Sequence, residues 1–281
     1  MNPETTLFSE DEHGNFKPYH PELSLSQKFL WSWFSQNIQT LKDIADGDPI
    51  MGLHLGDECN GNKHPDLLVS DRLSDQIIIA EYNAMPLLNL PNLKHYRQVV
   101  GTGAHNFGFG SSAISLCHSL QNLYPNKDVR PLYHGLLDYH GVTVDYAHHG
   151  PGPGTRNWLT GNVARFYLRD LMQREIMHGN PPPRLVLRGH YHSHVHEPLE
   201  MSGYTSDIYI LPSYSFLNDH GIQVTQSQYE VTVGMNIYEI ENGEILRIHK
   251  EHKTLDLRTV EIIDDGRENT SIDPGNKQIT A

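Results

Sequence analysis

The chain has 281 residues, 37% of them hydrophobic, enough to bury a sizeable core in one large α/β domain. Its formal net charge of −13 argues against a broad basic face for nucleic acid or membrane, because phosphate contacts need clustered Lys and Arg. The 2 cysteines, Cys59 and Cys117, stand in no CxxC spacing and argue against a disulfide framework or a thiolate zinc site.

The N-terminal "MNPETTLFSEDEHGN" has neither a basic n-region nor an apolar h-region, and no apolar run reaches about 18 residues, so the chain reads as soluble and unexported. In "SLSQKFLWSWFSQNIQTLKDIADGDP", Ser24 and Gln27 stand at capping-box spacing, and Leu30, Trp33, Phe34, Asn37, Leu41 and Ile44 recur at helical period. The run Ile50 to Leu55 predicts a buried strand that stops at Gly56-Asp57. Residues 71 to 90 predict a helix that breaks at Pro86 and Pro91. "HYRQVVGTGAHNFGFGSS" gives a strand with a glycine-rich exit, and "SSAISLCHSLQNLY" the helix behind it.

"RPLYHGLLDYHGVTVDYAHHGPGPG" reads as two strands around Tyr139-His140-Gly141, the second ending at His148-His149. Residues 159 to 178 predict a helix with Val163, Phe166, Tyr167 and Leu171 on one face, and "PPPRLVLRGHYHSH" a strand and its exit. "SDIYILPSYSF" and the pair "YEVTVGMNIYEIENGEILRIHKEHKT", turning at Glu241-Asn242-Gly243, are strands without intervening helices. The tail from Asp264 is polar, a disordered tail by composition. Helices alternating early and strands following strands late point to an α/β sandwich of mixed sheets.

Histidine is the compositional outlier, with 19 residues. Those standing alone among polar neighbours read as solvated imidazoles; those at strand exits matter more. Four exits carry candidate ligands: Gly56-Asp57 with Asn60, Gly101-Thr102 with His105, His148-His149, and Gly189-His190 with His192. In open α/β sheets, sites form beyond the carboxyl ends of strands, where residues distant in sequence converge. Adjacent strand residues point to opposite faces, so one of His148 and His149 is expected to be the ligand, and His149 is chosen. His194 and His196 are read as supporting or surface residues, and Arg156 and Trp158 as either substrate contacts or loop packing.

In chain order these blocks resemble the calcineurin-like metallophosphoesterase family. "GDECNG" fits its Gly-Asp-x-x-(Asp/Asn) block, "AHHG" its lone histidine and "GHYH" its Gly-His-x-His block, over roughly residues 20 to 250. "GTGAH" places Thr102 where the family has a metal-binding Asn and is similar to a phage-like branch. The family's first Asp-x-His block is matched in spelling by Asp11-Glu12-His13, which reads better as an acidic turn. The expectation is therefore that the first strand and its Asp-x-His are missing, with residues 1–263 forming one phosphoesterase domain and 264–281 the tail.

The resemblance implies a two-sheet sandwich flanked by helices and a hydrolase acting on phosphoric esters through two divalent ions (Mn, Fe, Zn or Co) and a metal-bridging hydroxide. By the same resemblance Asp57 bridges both ions, His149 and His190 ligate one, His192 belongs to the other, and Asn60 or Thr102 adds oxygen; without the first block the second position keeps only Asp57 and His192, and the expected activity is weak or absent. His105 is the non-ligand that hydrogen-bonds the phosphate and assists the leaving oxygen. The substrate is a phosphorylated small molecule or nucleic acid, and the compartment the cytoplasm, or the host cytoplasm for a phage-encoded chain. A mononuclear zinc hydrolase using His149, His190 and His192, or a non-catalytic metal-binding remnant, is the alternative.

Overall fold

Strand register decides where the candidate ligands meet. A computed structural model describes residues 25–63, 70–108, 110–154, 159–216 and 229–258, so Asp11, His13, Ser24, Arg156, Trp158 and the tail lie outside the described residues. The fold is mixed α/β. Helix α1 (Leu25–Ala45) precedes β1 (Ile50–His54), α2 (Leu73–Leu88), β2 (Leu93–Val99), α3 (Ser111–Leu123) and β3 (Asp128–Leu132). Then come β4 (His134–Tyr139), β5 (Val142–Ala147), α4 (Asn162–Met177), β6 (Leu185–Arg188), β7 (Val195–Met201), β8 (Tyr204–Ile210), β9 (Glu230–Glu241) and β10 (Glu244–Asp256).

The first three strands form a parallel sheet in the order β1-β2-β3, and five form a mixed sheet in the order β4-β5-β6-β8-β7. The β9–β10 hairpin is antiparallel. Side-chain alternation sorts these elements into packed clusters. Ile50, Leu93, Tyr96 and Val129 pack with Phe34, Ile77, Ala80, Leu116 and Leu120 of the first three helices. Leu53, Val99 and Leu132 turn the other way and meet Val144, Leu185, Leu187 and Tyr209 of the larger sheet, with Ile240 and Ile248 of the hairpin closing the cluster. The opposite face of the larger sheet, Val186, Val195, Ile208 and Ile210, packs on α4. β6 is buried along its whole length, as befits a strand flanked by parallel neighbours and covered on both faces. Among the described residues no helix is long and apolar enough to cross a membrane.

Several expectations change. The stretch read as two strands around His140-Gly141 holds three: it divides at Tyr133 into β3 of one sheet and β4 of the other. Pro131 is tolerated because β3 is an edge strand. α2 runs through Pro86 to Leu88, since a proline in the last turn removes a single ladder bond rather than breaking the helix in its middle. α4 buries Ala164, Leu168 and Met172, spaced i, i+4, i+8, with Tyr167 and Leu171 at the margin, whereas Val163 and Phe166 are 49% and 68% exposed. His196 lies on β7, a strand not anticipated, whose Pro198 is again allowed by its edge position.

Candidate metal centre

His54 pairs with Gln98 at the end of β1 and β2, so Gly56-Asp57 and Gly101-Thr102 leave one sheet side by side. Ala147 pairs with Arg188 at the end of β5 and β6, so His148 and Gly189-His190 leave the other sheet together, with Gly189 N–H donating to His148 O at 3.0 Å. Two glycines let the exits close on one another. A Cβ on Gly56 would lie 2.6 Å from His148 Nδ1 and 2.8 Å from Gly101 Cα, and one on Gly101 only 2.0 Å from Asp57 Oδ1. Asp57, His190 and His192 all adopt left-handed backbone, with φ of 56°, 77° and 48°. Such conformations are uncommon for residues with a Cβ and concentrate where a site demands them.

Asp57 is the centre of the cluster. Its Oδ1 accepts from Thr102 N–H at 2.7 Å and from Thr102 Oγ1 at 3.1 Å, while Oδ2 faces His148 Nε2 at 3.0 Å and His190 Nδ1 at 3.9 Å. Burial would raise the carboxyl, but the His148 hydrogen bond, the adjacent His190 imidazole and the His148 charge outweigh it and hold Asp57 far below the usual carboxylate range. Burial likewise opposes a charged His148, and the Asp57 carboxylate overrides it, so the His148 pKa lies above the ordinary imidazole value. His148 Nδ1 lies 2.5 Å from Leu55 O, which makes Nδ1 the protonated nitrogen and turns Nε2 toward Asp57 and toward His190 Nδ1, 3.2 Å away.

His148, His149 and His190 each offer a ring nitrogen within 4.8 Å of the others, His148 buried and the other two exposed. His149 is lowered, first by burial and then by repulsion from His148 and His190. His192 is pushed down to about 4, chiefly by burial, which leaves it neutral and able to donate a lone pair. The buried atoms Asn60 Oδ1, His105 Nδ1 and His192 Nδ1 have no hydrogen-bond partner among the described residues. Buried polar atoms are rarely left so, and His148, His149 and His190 are a group whose ring nitrogens could hold a metal ion.

A polar path backs this cluster on its helix side. Gln98 Nε2 lies 2.8 Å from His54 Nδ1 and donates to Glu58 Oε2 at 3.1 Å, and Tyr96 OH donates to Gln98 Oε1 at 2.9 Å. Burial lowers His54 to about 3 and raises Glu58 to about 7. A second path runs from Ser112 Oγ to Asn106 Oδ1 at 2.6 Å, then from Asn106 Nδ2 to Thr102 O at 2.8 Å, and so to the residue that orients Asp57. These supports escaped the sequence reading; only the placement of Gln98 and Glu58 near strand ends pointed toward them.

His194 and His196 have partners outside this cluster. His196 Nε2 meets Asp207 Oδ1 at 2.6 Å and its ring stacks on Tyr209 at 4.2 Å, and the His194 ring lies 4.4 Å from that of His252. Cys59 and Cys117 are free and buried in the helix-side core.

No family model matches the chain, and no curated protein matches it. The solution NMR structure of a Thermotoga maritima protein aligns with 61% of this chain and 87% of that one, at 15% identity and a TM-score of 0.31, a likeness too low to carry an argument about fold or function.

Proposed function

We propose that the chain is a metal-dependent phosphoric ester hydrolase of the calcineurin-like metallophosphoesterase type, acting on a phosphomonoester, a phosphodiester or nucleic acid. The observation that carries this reading is the convergence of four strand exits on Asp57, with His148 and His190 around it and three buried acceptors still unpaired. In this reading residues 1–263 form one such domain, with the three- and five-stranded sheets as the two halves of the family's sandwich.

Asp57, Asn60, His148, His149, His190 and His192 would hold two divalent ions of the Mn, Fe, Zn or Co kind; Asp57 is the one carboxylate among them. The bound ions supply positive charge that clamps a phosphate and acidifies water for attack. The side chains do the rest. Thr102 pins Asp57 Oδ1 so that Oδ2 stays turned toward the imidazoles. Leu55 O fixes the His148 tautomer, leaving Nε2 as the ligating atom once a cation replaces its proton. His105 hydrogen-bonds the phosphoryl oxygen and steadies the leaving oxygen.

A mononuclear zinc hydrolase is the second reading, and the three-imidazole group His148, His149 and His190 favours it. Hydrolysis of bis-(p-nitrophenyl) phosphate in the presence of Mn2+ tests the first reading. Asp57→Asn is expected to lower turnover by about a hundredfold or more, in the manner of losing a central electrostatic group. Unchanged turnover and metal content in that variant would refute the proposal.

A further inference from the structure

An asparagine amide is a weak, neutral oxygen donor, so a site that uses one gains only if the amide is held in place beforehand. Asn60 is 6% exposed and its Oδ1 has no partner among the described residues, yet its backbone N–H is held. The holding group is Gln76, in the first turn of α2 and 1% exposed. Its Oε1 accepts from Asn60 N–H at 2.9 Å and from Gly61 N–H at 3.0 Å. Its Nε2 donates to Gly61 O at 2.8 Å and to Ser70 O at 2.8 Å. Both lone pairs and both protons of the amide are used, which fixes its orientation without ambiguity.

The clamp leads toward the site on its other side as well. Gly61 has φ of 71°, and a Cβ there would sit 2.1 Å from Ala104 O, so the clamped turn presses on the backbone just before His105. Gln76 thereby holds the turn that carries Asn60 against the backbone that leads into His105. Cys59, on the other flank, is fully buried, and its Sγ lies 3.8 Å from Gln76 O.

Resting on the metal-centre reading above, we propose that Gln76 is the positioning residue of the site: it presents Asn60 Oδ1 to a divalent cation, and its effect on cation binding runs through Asn60. A double-mutant cycle with Co2+ as the probe, followed by its visible absorption, tests this in the full chain. Asn60→Ala and Gln76→Leu are each expected to raise the Co2+ dissociation constant about tenfold or more, the usual cost of losing an outer support or its ligand. The double variant is expected to bind within about twofold of Asn60→Ala, because a clamp with nothing to present has no further effect.

If Gln76→Leu fails to fold, Gln76→Glu replaces it in the cycle, keeping an acceptor oxygen at Oε1 and losing the two donors of Nε2, and the same non-additivity decides the matter. The role of Gln76 is overturned if the two effects multiply in the double variant, or if the Gln76 variant binds Co2+ as the wild type does. A wild-type chain that takes up no Co2+ instead defeats the metal-centre reading itself, so the two failures are told apart.

Discussion

At the scale of single residues, His148 controls how the site responds to pH. Its Nε2 is shared between Asp57 and His190, and the Asp57 carboxylate keeps its pKa above 6.5 despite burial. A cation that takes Nε2 must displace that proton, so binding is opposed below the raised pKa and unopposed above it. Asp57 stays ionised through this range and His192 stays neutral, so neither adds to the effect near pH 7. Mn2+ affinity is expected to fall as pH drops from 8 to 6, approaching about tenfold per unit once His148 is mostly protonated. Isothermal titration at several pH values measures this; an affinity flat across the range would contradict the assignment of His148. The sequence reading chose His149 as the ligand at this strand end, whereas it is the neighbouring His148 that faces Asp57. Burial of one and exposure of the other depends on how the second sheet packs against Leu55, which no local pattern contains.

At the scale of elements, packing rather than hydrophobicity separates the two apolar stripes of α4. Leu168 is fully buried against the larger sheet and Phe166 is 68% exposed. Leu168→Ala is therefore expected to cost about 2–5 kcal/mol in denaturant unfolding, and Phe166→Ala less than about 0.5 kcal/mol. Equal losses would mean that α4 is rotated from the orientation described. The sequence pattern placed the face about half right: Tyr167 and Leu171 do border the core, but Val163 and Phe166 face out, and Ala164 and Leu168 mark its centre. Turn chemistry was easier to read. His140-Gly141 and Asn242-Gly243 both hold positive φ at both central positions, as two-residue hairpin turns require. β7 was hidden by Pro198 and by charges that suit an edge strand but blur the alternation.

At the scale of the whole molecule, the site depends on two sheets ending at one place. Each sheet brings two parallel neighbours to a shared edge, and the glycines at 56, 101 and 189 remove the side chains that would keep the exits apart. The exits themselves were legible, because a strand followed by Gly-Asp or Gly-His-x-His is a local signal. The sheet order, the His54–Gln98–Glu58 path and the Gln76 clamp were not, since they join residues 15 to 44 positions apart through tertiary packing. A chain of net charge −13 gathers three imidazoles and a carboxylate at one such point, and the proposed cation and phosphate chemistry rests on that convergence. Elemental analysis of the purified full chain after equilibration with Mn2+ and Zn2+, run alongside bis-(p-nitrophenyl) phosphate hydrolysis, measures this directly. Bound metal with measurable turnover is the expected result, and a chain that holds no metal and hydrolyses nothing would contradict the account.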